Sequence, residues 1–289
     1  MTAPRTLRVA SWNIHGAVGT DGQCVPRRIA EVLRDLDADV IALQEVESRR
    51  TGFDMLTWLA AETGLMPVAG PTLVREHGGE YGNGLLTRLT LRSVYRLSLD
   101  YPGREPRGAL DVILDLPGDG CGRADANHAG SPHLSASRPA RETGWKEGKK
   151  NHASTGERHD PAGRPGTAGG ALRVIATHLG LRPAERRAQV QRLLARVRQG
   201  DHPPEHPPLP TVLLGDINEW FLWGRPLRWL HRWFEATPAP ATFPSCWPLL
   251  ALDRIWLRPR TRLLSLYRHP DPRARLASDH LPVVAQISG

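Results

Sequence analysis

Polar side chains stand at the ends of apolar, strand-like runs in several parts of this chain. They are Asn13 after LRVASW, Glu45 after VIALQ, His178 after RVIAT, Asp216 and Asn218 after TVLLG, Asp253 within LALDRIW, and Asp279 and His280 before LPVV. A polar group at the mouth of a strand is held by the rigid sheet while its head faces a cleft. The pattern therefore predicts a binding or catalytic site built on strand ends.

The residue types limit the reaction that such a site can carry. Carboxylate and amide oxygens are hard ligands suited to Mg²⁺ or Mn²⁺. Histidines paired with acids suit proton transfer or the stabilisation of an oxyanion. Together they predict metal-assisted hydrolysis of a phosphate ester.

The elements that must position these residues follow from hydrophobic periodicity. Helical spacing predicts helices over PRRIAEVLRDL (26–36), FDMLTWLAAETG (53–64) and PAERRAQVQRLLARVRQ (183–199). Short apolar runs that outnumber these helices predict strands, so packed sheets covered by helices are expected. The runs DVILDL (111–116) and LRVIATH (172–178) are expected to pair as neighbours.

Residues 118–170 lie between those two runs and differ in composition from the rest of the chain. They are rich in Gly, Ser, Pro, Ala and His and have almost no large apolar side chains, so they cannot offset the entropy of ordering. We interpret them as a disordered insertion in one domain that spans residues 1–289. The histidines of the segment match no compact set of metal ligands.

Composition restricts the class of protein. The chain has 289 residues, 40% of them hydrophobic, which is enough to build a core. No apolar run approaches the roughly 18 residues that span a bilayer. The three cysteines are far apart, which excludes a disulfide framework and a compact zinc site. These features predict a cytoplasmic protein without a transmembrane segment.

The net charge of +8 is concentrated in one part of the sequence. Residues 1–117 carry a formal charge of −2 and residues 171–289 a formal charge of +8. Of the 38 basic residues 35 are arginine, a bias that a GC-rich genome also produces. The charge permits a polyanionic partner without identifying one.

The ordered set of motifs resembles the endonuclease/exonuclease/phosphatase superfamily of metal-dependent phosphohydrolases, which includes apurinic endonucleases, deoxyribonuclease-type enzymes, sphingomyelinases and inositol polyphosphate phosphatases. The motifs are WNIHG, ALQEV, YGNGLLTR, EPRGAL, ATHLG, LLGDINE, LDRIW and ASDHLPV. Each is weak alone, and their order is specific. The resemblance implies a four-layer α/β/β/α sandwich of two mixed sheets flanked by helices, with the active site at one end of the sheets.

The resemblance also implies a metal site, with Mg²⁺ or alternatively Mn²⁺ as cofactor. Glu45 corresponds to the principal ligand, assisted by Asn13 and, through water, by Asp279. Asp216 and Asn218 correspond to the pair that activates the attacking water and binds the phosphoryl oxygen. The alternatives are an acid that caps a turn at Glu45 and an Asx-turn at Asp216. The i, i+2 spacing predicts that the Asp216 and Asn218 side chains share one face of an extended segment.

The remaining site residues follow from the same resemblance. His280 corresponds to the family's histidine and is expected to be oriented by Asp253, while His178 is expected to contact the scissile phosphate or assist the leaving group. Arg107 and, more weakly, Asn83 are expected to bind phosphate. Structural histidines and a solvated arginine are the competing interpretations. Tyr81 is a candidate as weak as Asn83, and His15 is expected to line the cleft without a chemical role.

Three functions remain open at this stage. The first is a nuclease or related phosphodiesterase, to which the arginine excess would steer a nucleic acid. The second is a phosphodiesterase or phosphatase of phospholipid or sphingomyelin type that acts near membranes. The third is a binding module without catalysis, which the complete set of chemically competent residues disfavours. The oligomeric state is left undetermined.

The second function depends on residues 219–234, EWFLWGRPLRWLHRWF. Placed on a helix, Trp220, Trp223, Trp229 and Trp233 with interleaved arginines would contact a membrane interface or stack on bases. The alternative is a helix whose tryptophans pack on the sheet, with Pro226 breaking the stretch.

Overall fold

The computed structural model describes residues 6–48, 52–74, 79–117, 170–199, 208–221 and 223–289. The predicted insertion therefore lies outside the described residues except for Gly170. The strands are β1 (Thr6–Asn13), β2 (Val40–Glu47), β3 (Met66–Val74), β4 (Glu80–Thr87), β5 (Thr90–Ser98), β6 (Gly108–Asp115), β7 (Ala171–His178), β8 (Thr211–Asp216), β9 (Asp253–Arg258), β10 (Leu263–Arg268) and β11 (Val283–Ser288). The helices are α1 (Pro26–Leu36), α2 (Met55–Thr63), α3 (Pro183–Gln199), α4 (Arg225–His231) and α5 (Pro272–Ala277).

The strands form two mixed sheets. One has the order β10-β11-β1-β2-β4-β3 and the other the order β5-β6-β7-β8-β9. The pairs β1–β2 and β7–β8 are parallel, and the other pairs are antiparallel. The expected pairing across the insertion is confirmed, since β6 and β7 are antiparallel neighbours with Ala109 opposite Thr177.

The core has three layers of apolar contacts between four layers of structure. The two sheets face each other through one cluster that includes Val9, Val112 and Val212. A second cluster packs α1, α2 and α5 on the outer face of the six-stranded sheet, and a third packs α3 and α4 on the other sheet. Because both faces of the central strands are covered, these strands are continuous apolar runs. The predicted α/β/β/α sandwich is confirmed.

Local chemistry explains where the helices begin and end. Helix α2 begins after Asp54, whose carboxylate accepts from the Leu56 and Thr57 amides, and ends at Gly64 in the left-handed conformation. The bounds of α1 and α3 match the prediction. Among the described residues, no helix has the length and apolar character needed to cross a membrane.

The segment 219–234 is not one continuous helix, and its regular structure begins only next to Pro226. Residues 219–221 have no regular structure, and α4 covers only Arg225–His231. The expected break at Pro226 is confirmed, because Pro226 lies in the first turn of α4, where its missing N–H costs nothing and the helix begins. Trp229 and Trp233 pack against the core, as the alternative interpretation expected.

Strand ends bring the polar residues to one edge of the sandwich. His178 at the end of β7 pairs with Asp216 at the end of β8, and Asp216 pairs with Asp253 at the start of β9. In the other sheet, Asn13 pairs with Gln44. The sheets face each other, so residues from both meet in one cleft.

Gly215 sets the spacing between β7 and β8 next to Asp216. Its φ is 146°, and a Cβ at this position would lie 1.8 Å from the carbonyl oxygen of Thr177. We expect Gly215→Ala to lower the free energy of unfolding by about 2–4 kcal/mol in urea titrations, because backbone must move to admit the methyl group.

Gly103→Ala is the matched control for this prediction. Gly103 also has a positive φ, 68°, but nothing lies within 4 Å of its Cβ position. The control should lose only about 1 kcal/mol, the cost of the conformation alone. Equal losses in both variants would contradict the close approach of β7 and β8.

Candidate active site

Asn13 joins the two sheets at the centre of the cleft. Its Nδ2 donates to Glu45 Oε1 and to Asp216 Oδ2, both at 3.1 Å. Its backbone carbonyl accepts a hydrogen bond of 2.7 Å from the Ser278 hydroxyl. A single buried amide therefore fixes the relative positions of two carboxylates that come from different sheets.

Glu45 is turned into the cleft by an irregularity in β2. The pairing of β2 with β4 shifts register between Leu43 and Val46, and Glu45 has a φ of 54°. Left-handed conformations of non-glycine residues are costly and cluster at functional sites. The Glu45 side chain is 22% exposed, so a solvated ion can reach it.

Asp216 ends β8, and the chain then turns sharply. Asn218 has a φ of 53°, and its backbone N–H donates to Asp216 Oδ1 at 2.9 Å. The expectation of one extended segment is wrong, because this Asx-turn reverses the chain after Asp216. Burial raises the pKa of Asp216 to about 6, despite the opposing effect of His280.

His280 and Asp253 form a buried pair. His280 Nδ1 lies 2.8 Å from Asp253 Oδ2, which also accepts a hydrogen bond of 2.6 Å from the Thr242 hydroxyl. Burial disfavours the imidazolium, but Asp253 and then Asp216 outweigh it and raise the pKa of His280 to about 10. His280 is therefore protonated at neutral pH, and its Nε2 lies 3.7 Å from Asp216 Oδ2.

His178 is the second histidine beside Asp216, in addition to His280. Burial, with Arg107 and then His280, holds the pKa of His178 well below its usual value, so the imidazole is neutral. Arg107 Nη1 lies 3.1 Å from His178 Nδ1. Because a guanidinium can only donate, we infer that the imidazole proton is on Nε2, which lies 3.5 Å from Asp216 Oδ2.

Arg107 is not a solvated arginine. Its side chain is 9% exposed, and Nη1 lies 3.3 Å from Glu105 Oε1. Its Nε is buried without a hydrogen-bond partner among the described residues. A buried donor without a partner is costly, so each such group calls for an explanation such as a bound water or ion.

Two predicted site residues lie at the border of this cluster. Asp279 is 36% exposed, and its Oδ1 lies 3.6 Å from His15 Nδ1. Asn83 donates to the carbonyl oxygen of Gly108 at 2.8 Å, so this amide holds the start of β6 beside Arg107. Ligation by Asp279 and phosphate binding by Asn83 stay predictions.

The residues present fit a hard divalent cation. Asp216, Asp253 and His280 offer ligand atoms within 4.8 Å of one another, and such a cluster could bind a metal. However, a protonated His280 repels a cation, and Asp253 Oδ2 already accepts two hydrogen bonds. Glu45 fits better, because its carboxylate oxygens are hard ligands and its side chain is 22% exposed. Asn13 would contribute only its Oδ1, which accepts from the His15 amide at 3.1 Å and keeps a second lone pair for the ion.

Two positioning residues were missed by sequence reasoning. Thr242 lies in a segment without regular structure and has no periodic pattern around it. Ser278, whose hydroxyl contacts Asn13 and accepts from the His280 amide at 3.3 Å, precedes the predicted Asp279. Only the adjacency of Ser278 to the ASDH motif could have indicated its role.

Comparison with known proteins identifies relatives of this architecture. A family model described as the endonuclease/exonuclease/phosphatase family matches residues 10–280. YbhP of Escherichia coli K12, described as uncharacterised, is 36% identical over 138 residues, which are 43% of this chain and 49% of YbhP. The chain thus spans about half the length of this curated relative.

Solved structures share the fold at low identity. An endonuclease/exonuclease/phosphatase protein from Beutenbergia cavernae superposes with a TM-score of 0.66 and 22% identity over 98% of this chain and 72% of that one. The catalytic domain of human Nocturnin, solved with a bound sulfate anion, superposes with a TM-score of 0.60 and 18% identity over 99% and 93%. ANGEL2, described as a 2',3'-cyclic phosphatase, superposes with a TM-score of 0.63 and 14% identity over 98% of this chain and 95% of that one.

Proposed function

The chain belongs to the endonuclease/exonuclease/phosphatase family, and from this premise we propose that it is a Mg²⁺-dependent phosphodiesterase. Enzymes with this fold generally hydrolyse phosphoesters. The observation that carries the proposal is the convergence on Asp216, whose Oδ2 accepts from Asn13 and lies 3.5 Å from His178 and 3.7 Å from His280.

Glu45 and Asn13 would hold the metal ion, with Asp279 at the border of the site. Once bound, Mg²⁺ or Mn²⁺ would polarise a phosphoryl oxygen and stabilise the leaving oxygen. The carboxylate of Glu45 carries the charge that this role requires, and Asn13 keeps it aligned with Asp216.

Asp216 serves as the base in the proposed mechanism. A pKa of about 6 places this carboxylate near the optimum for proton transfer at neutral pH. As a bond forms between the water oxygen and phosphorus and the ester P–O bond breaks, the proton of the water passes to Asp216. The leaving oxygen takes up a proton from solvent water, Asp216 then releases its proton to solvent, and no covalent intermediate with the protein is needed.

Three donors face the charge that develops on the phosphoryl group. The His280 imidazolium supplies a full positive charge, fixed by Asp253. His178 Nε2 and Asn218 Nδ2 lie 3.1 Å apart. When the His178 proton is on Nε2, both groups are donors and neither can accept from the other. An anionic oxygen placed between them would accept from both. Arg107 stands behind His178 and adds positive charge.

Two of the fold's neighbours support an anionic phosphoester substrate. The Nocturnin structure contains sulfate, an analogue of phosphate in shape and charge, and ANGEL2 is described as acting on a cyclic phosphate. Nucleic acid and phospholipid both present such diesters.

The proposed function is tested by hydrolysis of bis-p-nitrophenyl phosphate and p-nitrophenyl phosphate with Mg²⁺, Mn²⁺ or EDTA. We expect the diester to be cleaved faster and the activity to disappear in EDTA and return with added Mg²⁺. Cleavage of the monoester alone would replace the proposal with a phosphatase. Diester cleavage that persists in EDTA would overturn metal dependence.

A further inference from the structure

Large apolar side chains are exposed around the cleft. We call this group the rim, and its members are Leu181 (60% exposed), Trp220 (41%), Phe221 (44%), Trp223 (73%), Trp247 (72%) and Leu249 (68%). Single exposed apolar residues are ordinary, but a group of them around a site marks an interaction surface.

One half of the rim is attached to the Asn218 side of the site. Arg186 is fully buried, donates to the carbonyl oxygen of Leu181 at 2.6 Å and lies 5.4 Å from the centre of the Trp220 ring. Its Nε also lies 3.3 Å from Glu219, the residue after Asn218. A buried ion pair thus ties Leu181 and Trp220 to each other and to the cleft.

The other half of the rim is attached to the His280 side. The Trp247 amide donates to the carbonyl oxygen of Pro244, and the Leu249 amide donates to that of Phe243. The Phe243 ring lies 4.9 Å from the His280 ring. Both halves are therefore connected to the surroundings of Asp216, because His280 lies 3.7 Å from Asp216 Oδ2 and the Asn218 amide donates to Asp216 Oδ1.

Positive charge accompanies the rim. Arg182 follows Leu181, and Arg225 comes two residues after Trp223; both are exposed. Arg275, also exposed, has its carbonyl oxygen bound by the Ser245 hydroxyl, in the same turn as Trp247. Tryptophan, leucine and arginine side by side are the composition of a surface that lies in a membrane interface.

We propose that the rim docks on a bilayer that contains anionic phospholipid, so that the cleft opens onto phosphodiester head groups. This inference rests on the proposed function for the chemistry and on the rim for the substrate class. The positively charged arginines match the negative surface of such a bilayer.

The same residues fit a nucleic acid less well. Bases stack on open aromatic faces, whereas the ring centres of Trp220, Phe221 and Trp223 lie 5.5 and 6.1 Å from one another in tilted pairs. The exposed side chains of Leu181 and Leu249 have no aromatic face or hydrogen-bonding group for a base, whereas their transfer from water into an acyl layer is favourable.

Co-sedimentation with vesicles tests the proposal. The wild-type protein, the double variant Trp223→Ala/Trp247→Ala and the control Leu264→Ala are mixed with phosphatidylcholine vesicles with or without phosphatidylglycerol. Leu264 is 56% exposed but lies far from the rim. Its neighbour Leu263 is opposite Ile287, and Ile287 is opposite Leu7 at the start of β1. Asn13 and the site lie at the other end of that strand. We expect binding to the anionic vesicles, a loss of about tenfold or more in the double variant, and no change in the control.

Hydrolysis of soluble bis-p-nitrophenyl phosphate separates this inference from the proposed function. Unchanged hydrolysis in the double variant with lost vesicle binding supports docking by the rim. Vesicle binding equal in the wild type and the double variant, or absent in the wild type, overturns it. Loss of single-stranded DNA binding in the double variant, with no vesicle binding by the wild type, would assign the rim to a nucleic acid.

Discussion

We expect His280→Ala to lower the turnover number for bis-p-nitrophenyl phosphate by about 10³-fold. The variant removes the imidazolium that Asp253 holds at 2.8 Å and that faces Asp216 Oδ2 at 3.7 Å. Because Asp253 keeps its hydrogen bond from Thr242 at 2.6 Å, the fold should persist. Steady-state kinetics and a thermal melt of the same sample measure both effects.

Two further variants sharpen this prediction. Asp253→Asn keeps the shape of the pair but removes the charge that raises the pKa of His280, so turnover should fall and its pH dependence should move to lower pH. His231→Ala is the control, since His231 lies in α4 and its ring centre is 5.9 Å from that of Trp256 in β9. Near wild-type turnover in His280→Ala would remove this residue from the mechanism.

Glu45→Gln is expected to raise the Mg²⁺ concentration for half-maximal activity by about 100-fold. The amide keeps the size of the side chain but loses the negative charge that a hard cation requires. Its neighbour Asn13 still bonds Asp216 at 3.1 Å, so part of the turnover should return at high Mg²⁺. Activity and calorimetric binding of Mg²⁺ are measured together.

A carboxylate of α1 provides the control for this variant. Glu31 lies 3.3 Å from Arg27 on the same helix, and Glu31→Gln should leave the Mg²⁺ dependence unchanged. If Glu45→Gln also left it unchanged, the metal would have to bind elsewhere, and the cluster of Asp216, Asp253 and His280 would be the next candidate.

The placement of the site on strand ends was predictable because apolar runs fix where strands stop. Asn13, His178 and Asp216 lie at the last positions of β1, β7 and β8. The bounds of α1 and α3 followed from periodicity for the same reason. These features depend on local patterns that a single sequence contains.

Other features depend on tertiary contacts that no local pattern encodes. The left-handed conformations of Glu45 and Asn218 arise from a register shift and an Asx-turn. Thr242 reaches Asp253 from an irregular segment. Strand β10 and helix α5 are short and half-exposed, so their periodicity is weak.

The 219–234 segment combines both interpretations that its sequence left open. The tryptophan spacing left open whether all four tryptophans lie on an exposed helix face or pack on the sheet. Buried Glu219 accepts from the Phe221 amide at 3.1 Å and lies 3.3 Å from Arg186. These bonds hold a turn before α4. The aromatic residues 220, 221 and 223 are exposed as a result, while Trp229 and Trp233 pack against the core.

We propose that the cluster around Asp216 and Glu45 hydrolyses a phosphodiester with a divalent metal ion. The most direct measurement compares the initial rate of bis-p-nitrophenyl phosphate hydrolysis by the wild type with that by His280→Ala and Glu45→Gln, in Mg²⁺ and in EDTA. We predict a Mg²⁺-dependent rate in the wild type that falls in both variants while their melting curves stay cooperative. A wild-type rate that is insensitive to EDTA, or variants as active as the wild type at every Mg²⁺ concentration, would contradict it.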